Sequence, residues 1–165
     1  MEFSGGMGPL EGYVDASYAG DLDTRRYMTS YVFCLYGRPI SWRSTLQPIT
    51  ALSTIEVEYI GITEAMKEAL WLRRLVAEMG MKQYMVSMHS DSQSAIHLTQ
   101  NLVYHAGTKH IDVRFYRIRE LVEEGEVALV KVNTKKNQTD ALTKALPRNI
   151  FQSCMWLMGL RKSLV

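Results

Sequence analysis

The chain has no apolar run long enough to cross a membrane, few cysteines and little net charge. A membrane-spanning helix needs roughly 20 consecutive apolar residues, and none of the apolar runs in the sequence approaches that length. Cys34 and Cys154, the only two cysteines, both lie in apolar segments. We therefore expect two buried thiols without a disulfide, in a soluble protein that has no membrane partner.

Enough hydrophobic residues are present for one well-packed domain. The sequence has 165 residues, of which 47% are hydrophobic and 22% charged, a balance that argues against disorder. The net charge of +2 is compatible with a nucleic-acid partner but does not establish one. Residues 1–9 include three glycines and predict a flexible leader, followed by a single domain over residues 10–165.

The hydrophobic pattern predicts an α/β fold. Three segments joined by short turns predict an antiparallel meander of strands. They are an alternating segment over residues 12–17, a segment rich in Tyr, Val, Thr and Phe over residues 27–35, and a short segment over residues 40–43. Gly37, Arg38 and Pro39 are expected to form the second of these turns. The apolar spacing then becomes helical over residues 54–79, and Gly80 ends this helix. Two further strands are predicted over residues 85–90 and 127–132, with helices over residues 94–100, 110–124, 139–145 and 150–160. The result is a five-stranded mixed sheet flanked by helices.

Four acidic residues stand where predicted strands or helices begin or end, namely Asp15, Glu58, Asp91 and Asp140. Acids that are distant in sequence can converge at one end of a sheet, and their oxygens suit Mg²⁺ or Mn²⁺. Each has a simpler alternative. Asp15 could bond nearby backbone amides at a strand end, whereas Asp91 and Asp140 could be helix N-caps.

The long first helix offers two acids in its first turn. Ser53 and Glu56 fit a capping box, in which the glutamate reaches back to the N-cap amide. Glu56 also lies far round the helix from the apolar stripe. Glu58 precedes Ile62 by one turn on that stripe, so we expect it to point inward and to need a cation as partner.

Five segments together resemble the ribonuclease H domain at the end of copia-type retrotransposon polyproteins. Each is weak alone, but their order along the chain is specific to that family. They are Tyr-Val-Asp15-Ala-Ser-Tyr-Ala-Gly, Leu-Ser-Thr-Ile-Glu56-Val-Glu58-Tyr, Ser-Asp91-Ser-Gln-Ser-Ala, Thr-Lys-His110-Ile-Asp and Thr-Asp140-Ala-Leu-Thr-Lys-Ala-Leu-Pro.

This resemblance implies the ribonuclease H fold and a catalytic metal site carried by Asp15, Glu58, Asp91 and Asp140. It implies two Mg²⁺ ions, or Mn²⁺ in their place, and hydrolysis of the RNA strand of RNA/DNA hybrids to 5′-phosphate and 3′-hydroxyl ends. An upstream reverse transcriptase in the parent polyprotein would help to hold the hybrid. We expect a monomer in the cytoplasm, with the nucleus as the alternative location.

Five residues are candidates for substrate binding. Gln93 follows Asp91 closely and could contact the minor groove of the hybrid. His110, Arg114 and Arg117 share one face of a predicted helix near Lys109, and this strip could bind phosphates. The alternatives are a solvent-facing glutamine and a solvated basic face.

The sequence departs from the family in two respects, and two other functions stay open. Residues 132–139 lack the loop histidine that many ribonucleases H carry before the last aspartate, and the basic handle helix of some bacterial enzymes is not evident. A non-cleaving or weakly active nucleic-acid-binding module derived from a retroelement is the main alternative. Another metal-dependent nuclease of the same fold, such as an integrase or junction resolvase, is less consistent with an acid at the head of the long first helix.

Overall fold

The computed structural model describes residues 8–18, 27–47, 53–100 and 112–160, with residues 18, 100 and 112–116 described by their backbone alone. The predicted leader therefore lies almost entirely outside the described residues. Five strands are present: β1 (Leu10–Tyr18), β2 (Tyr27–Leu35), β3 (Arg38–Leu46), β4 (Val86–Ser90) and β5 (Val127–Lys131). The helices are α1 (Thr54–Glu78), α2 (Gln93–Gln100), α3 (Asp112–Glu123), α4 (Asp140–Thr143) and α5 (Arg148–Leu157), with a 3₁₀ turn at Thr134–Lys136.

The strands form one mixed sheet in the order β3-β2-β1-β4-β5. β2 is antiparallel to both β1 and β3, which confirms the predicted meander. β4 is parallel to β1 and to β5, and each of these two connections includes a helix that returns the chain to the same end of the sheet. The predicted α/β fold with a five-stranded mixed sheet is confirmed.

The turn between β2 and β3 differs from the prediction. Tyr36 and Gly37 occupy its two central positions with φ values of 55° and 66°, the left-handed conformation that tight hairpins favour. Arg38 and Pro39 already belong to β3, which is longer than predicted. Pro39 is tolerated there because β3 is an edge strand, and the register shifts beside it between Phe33 and Cys34.

Helices cover both faces of the sheet. The main core joins β2 residues such as Phe33 and Leu35 to the apolar side of α1, including Ile62 and Met66. Alternate β2 residues pack on the opposite face against α5, where Val32 and Cys34 meet Cys154 and Met158. Both cysteines are buried and free, as predicted. This two-sided packing fixes β1 and β2 in the middle of the molecule.

Two predicted helices differ in length from the observed ones. The helix expected over residues 139–145 is a single turn, α4, because the chain becomes extended again at Lys144. Helix α5 starts at Arg148, directly after Pro147 and two residues earlier than expected. For the helix predicted from residue 110, the described part begins at Asp112, and residues 110 and 111 lie outside the description.

Candidate metal centre

The strand register brings Asp15 and Asp91 together. In the parallel pairing of β1 with β4, Val14 lies opposite Ser90, so the next residues along both strands are Asp15 and Asp91. The backbone N–H of Ala95 donates to Ser92 Oγ at 3.3 Å, which makes Ser92 the cap of α2. The N-cap alternative for Asp91 is therefore wrong, and its carboxylate is not engaged in starting that helix.

Helix α1 supplies the third acid. Ser53 caps it by accepting a hydrogen bond from the N–H of Glu56 at 3.2 Å, as the capping pattern predicted. Glu58 then reaches Asp15 and Asp91, and one ligand oxygen from each of the three lies within 4.8 Å of the others. The convergence expected from the sequence is present for these three carboxylates.

Glu56 is also buried, although it lies far round the helix from the apolar stripe. It is only 8% exposed. The first turn of α1 is covered on more than one side, since Val57 is buried as well. Glu56 is not part of the three-carboxylate group, which contains Glu58 as predicted.

Burial and mutual repulsion oppose ionisation of two of these acids. Burial, followed by the charges of Asp15 and Asp91, raises the pKa of Glu58 to about 8, although Lys144 and the backbone N–H of Ala16 act in the opposite direction. Burial also raises the pKa of Asp15, against the hydrogen bond from Thr143 and the charge of Lys144. A cation among these oxygens would relieve both penalties.

The residues fit a divalent metal ion. All three donors are carboxylates, the hard oxygen ligands that Mg²⁺ and Mn²⁺ prefer. Glu58 Oε2 is buried and has no hydrogen-bond partner among the described residues, which is costly unless a cation or another donor completes the site. A divalent cation would satisfy this oxygen.

Asp140 is linked to Asp15 by a lysine. Thr139 occupies the N-cap position of α4, so Asp140 is the first helical residue and the N-cap alternative for it is wrong. Lys144 Nζ lies 2.7 Å from Asp140 Oδ1 and 3.3 Å from Asp15 Oδ2. Thr143 Oγ1 donates to the same Asp15 oxygen at 2.6 Å. Among the described residues, Asp140 is outside the three-carboxylate group, and its role as a fourth ligand stays a prediction.

A buried polar segment holds Asp140 in place. Asn137, Gln138 and Thr139 are all at most 6% exposed. Asn137 Nδ2 donates to the carbonyl oxygen of Val14 at 3.1 Å, and Thr139 Oγ1 donates to Asn137 Oδ1 at 2.6 Å. Sequence reasoning missed this segment, together with Thr143 and Lys144. The only sequence signal was a run of polar residues directly before a predicted catalytic acid, which looks like an ordinary exposed loop.

The predicted substrate-binding residues are only partly described. Gln93 is exposed at the start of α2, close in sequence to Asp91. Arg117 is exposed and pairs with Glu120 at 3.1 Å, as a solvated helix face would. Lys109 and His110 lie outside the described residues, and Arg114 is described by its backbone alone. All five stay predictions.

Two plant transposon proteins are similar to nearly the whole chain. The chain is 48% identical over 160 residues to the retrovirus-related Pol polyprotein from transposon TNT 1-94 of Nicotiana tabacum, a match that covers 96% of the chain. It is 33% identical over 154 residues, or 93% of the chain, to the corresponding polyprotein from transposon RE2 of Arabidopsis thaliana. The chain is a homologue of copia-type retrotransposon Pol polyproteins. It spans 12% and 11% of the length of these two relatives.

Solved structures show which fold this Pol segment has. The N-terminal RNase H domain of a Mycobacterium tuberculosis protein aligns with a TM-score of 0.59 at 12% identity, covering 90% of this chain and 97% of that one. LC11-RNase H1 in complex with an RNA/DNA hybrid aligns with a TM-score of 0.55 at 17% identity, covering 78% and 88%. The Pol homologue therefore has the ribonuclease H fold.

No family model matches the chain. Among the helices in the described ranges, none has the length and apolar character needed to span a membrane.

Proposed function

We propose that this Pol segment is a metal-dependent ribonuclease H that cuts the RNA strand of RNA/DNA hybrids and leaves 5′-phosphate and 3′-hydroxyl ends. The observation that carries the proposal is the approach of the Asp15, Glu58 and Asp91 oxygens to within 4.8 Å of one another in a ribonuclease H fold. A structure of the same fold, LC11-RNase H1, is solved with an RNA/DNA hybrid, which supports this choice of substrate.

The four acids have distinct parts in this function. Asp15, Glu58 and Asp91 would hold one ion directly, and Asp15 and Asp140 would hold a second, with Mg²⁺ as the natural ion and Mn²⁺ as a substitute. When bound, the ions would supply activation of water and stabilisation of the charge that develops on the phosphate. Asp15, only 2% exposed, is shared by both positions. The packing around it keeps its oxygens fixed and shielded from bulk water.

Recognition of the hybrid would depend on groove shape and 2′-hydroxyl groups rather than on base identity. Gln93 would contact the minor groove near the cleavage site, and Arg117, Arg114, His110 and Lys109 would contact phosphates. An upstream reverse transcriptase in the parent polyprotein would add further grip. We infer a monomer that acts in the cytoplasm or nucleus.

Replacing Asp15 with Asn tests the assignment. Asn is similar in size and keeps an oxygen that can accept from Thr143, so Asp15→Asn should fold normally, whereas losing the shared ligand charge should abolish Mg²⁺-dependent cleavage of a labelled RNA/DNA hybrid. Glu123→Gln is the matched control. Glu123 is an exposed side chain that pairs with Arg119, so this variant should cleave the hybrid like the wild type.

The substrate panel separates this function from its alternatives. Hybrid, duplex DNA and duplex RNA are incubated with Mg²⁺ and then with EDTA. Cleavage confined to the RNA strand of the hybrid supports a ribonuclease H, whereas retention of hybrid without cleavage supports a binding module. Wild-type cleavage by Asp15→Asn would overturn the site assignment.

A further inference from the structure

Lys144 is the one cation in the described residues that contacts two of the predicted metal-binding acids. Its ammonium nitrogen lies 2.7 Å from Asp140 Oδ1 and 3.3 Å from Asp15 Oδ2. The pair with Asp140 is a common one-turn helix contact. The contact with Asp15 joins segments that are far apart in sequence, and it reaches a carboxylate that is 3% exposed.

The fold holds Lys144 in this position. Thr143, its neighbour, donates to the same oxygen of Asp15 at 2.6 Å. The carbonyl oxygens of Thr143 and Leu142 accept hydrogen bonds from Ser17 and Ser44 at 3.4 and 2.9 Å. The end of α4 is therefore tied to β1 and β3, and the ammonium group is delivered to the acids by a fixed backbone rather than by a free loop.

This ammonium group and a divalent ion compete for the same oxygens. Mg²⁺ binds oxygens at about 2.0–2.1 Å and demands near-ideal geometry, so an ion bridging Asp15 and Asp140 requires the ammonium nitrogen between them to leave. An ion among Asp15, Glu58 and Asp91 meets less competition, because within the described residues Lys144 forms an ion pair with only Asp15 of these three, although its charge also acts on Glu58. The four acids thus divide into one open half and one half occupied by Lys144.

We propose that Lys144 is a tethered counter-ion that makes the two ion-binding steps unequal, the first at Asp15, Glu58 and Asp91 and the second coupled to displacement of Lys144. This inference rests on the proposed metal site and goes beyond it by assigning a positioning role to a residue that is not a ligand. The displaced ammonium group remains near the site on its side chain and is then available to a phosphate.

Isothermal titration of the metal-free domain with Mn²⁺ and with Mg²⁺ tests this role without using activity. In the wild type we expect one tighter and one weaker ion. Lys144→Met should strengthen the weaker step by at least about fivefold, the lower end of typical coupling between sites, and should strengthen the tighter step less. It should also lower the melting temperature in EDTA, since the acids lose their counter-ion, and Lys144→Arg should retain wild-type behaviour in EDTA.

Lys131→Met is the matched control. Lys131 donates to the backbone carbonyl of Asp91, so this variant removes the same charge beside the same cluster but no contact with a carboxylate. Equal effects of Lys131→Met and Lys144→Met on the weaker step would overturn the inference and leave the metal site standing. Hybrid cleavage is assayed on the same samples, because failure of the proposed function would show as absent cleavage despite normal ion binding. Absence of ion binding in the wild type and in both variants would overturn both proposals.

If Lys144→Met fails to fold in EDTA, judged by circular dichroism, Lys144→Gln is titrated in its place with the same expectation. Both variants could fail to fold while Lys131→Met folds. That result supports the counter-ion role if adding Mn²⁺ restores the fold. Failure of Mn²⁺ to restore it would overturn the role, because the lysine would then serve the fold and not the ion balance.

Discussion

Glu58 is the residue at which the requirements of folding and of metal binding differ most. Folding places its carboxyl group beside Asp15 and Asp91 and buries one oxygen that has no partner within the part of the chain that the structure describes. Without a cation the group retains its proton more strongly than a free glutamate, with its pKa raised to about 8. The same oxygens are the ones a divalent ion would need, so the destabilising arrangement is explained by a ligand role.

The stability of the metal-free domain should depend on pH through Glu58. The unfolded chain loses this proton near the ordinary value of 4.5, whereas the folded chain keeps it to about 8. The folded state therefore binds more protons in this window, and its stability falls as pH rises through it. Glu58→Gln cannot lose a proton, so in EDTA it should match the wild type near pH 4.5 and exceed it by on the order of 5 kcal/mol at pH 9, the equivalent of a pKa that moves from 4.5 to about 8.

Urea unfolding in EDTA at several pH values measures this difference. Glu64→Gln is the control. Glu64 lies on the same helix, and its carboxylate pairs with Lys67 at 2.7 Å. Its replacement should not reproduce the pH-dependent gain in the free energy of unfolding. With saturating Mg²⁺ the order should reverse, because the ion binds the ionised glutamate. A difference between Glu58→Gln and wild type that is constant across pH would contradict this account.

At the residue scale, the sequence predicted which acidic side chains point inward better than it predicted which residues contact them. Glu58 could be chosen over Glu56 because helical periodicity points it inward, although periodicity alone did not indicate that Glu56 is buried too. Lys144 and Thr143 could not be found in this way, because their contacts with Asp15 depend on how α4 packs against β1. A local pattern does not contain the distance between segments that meet only after folding.

At the element scale, the short segment before α4 determines where Asp140 lies. One helical turn provides little stability of its own. Residues 137–139 compensate through buried hydrogen bonds, among them the bond from Ser30 Oγ to the carbonyl oxygen of Thr139 at 3.3 Å. This anchoring explains how a four-residue helix can hold an acid beside β1.

Replacing Asn137 with Ala should loosen this segment. The change leaves the Val14 carbonyl oxygen and the Thr139 hydroxyl group without their partner, and we expect a loss of about 2–3 kcal/mol in the free energy of unfolding. Mg²⁺ affinity should also fall because Asp140 moves. Urea unfolding and titration calorimetry measure the two effects.

Asn133→Ala is the control for Asn137→Ala. Asn133 accepts from the N–H of Lys135 at 3.0 Å on the exposed surface, so its loss should cost no more than about 1 kcal/mol. Equal losses from the two variants would show that the buried bonds of Asn137 do not stabilise the segment more than an ordinary surface cap does.

Element boundaries were predictable where a strand or helix has its own strong pattern. β2 and the long helix α1 begin where expected, because a segment rich in Tyr, Val, Thr and Phe marks the strand and a capping serine marks the helix. The edge strand β3 and the single turn α4 were misjudged in length, since Pro39 looked like a turn residue and residues 139–145 looked like a helix. In both cases the length of the element depends on packing against neighbouring elements and not on the local preference of its own residues.

At the scale of the whole molecule, the sheet topology and the family are consistent with each other. The parallel pairing of β1 with β4 inside the sheet places the ends of these two strands side by side, and this brings Asp15 and Asp91 together. The meander and the later strands could be predicted from the sequence. How the chain acts within a longer polyprotein could not, because it spans 12% of the TNT 1-94 relative.

The charge of the domain predicts how it holds nucleic acid. The net charge is only +2, and Arg117 and Arg119 already pair with glutamates on α3. Binding of the Asp15→Asn variant to a labelled hybrid should therefore weaken only moderately as salt is added. The slope of log K against log salt concentration should have a magnitude below about 4, which corresponds to few phosphate contacts.

Arg117→Ala in that background should reduce the slope by about 1 if Arg117 contacts a phosphate. Arg119→Ala is the matched control with no expected change, since its guanidinium is less exposed, 31% against 59% for Arg117. A steep slope that neither variant alters would mean that a different surface of the domain carries the nucleic acid.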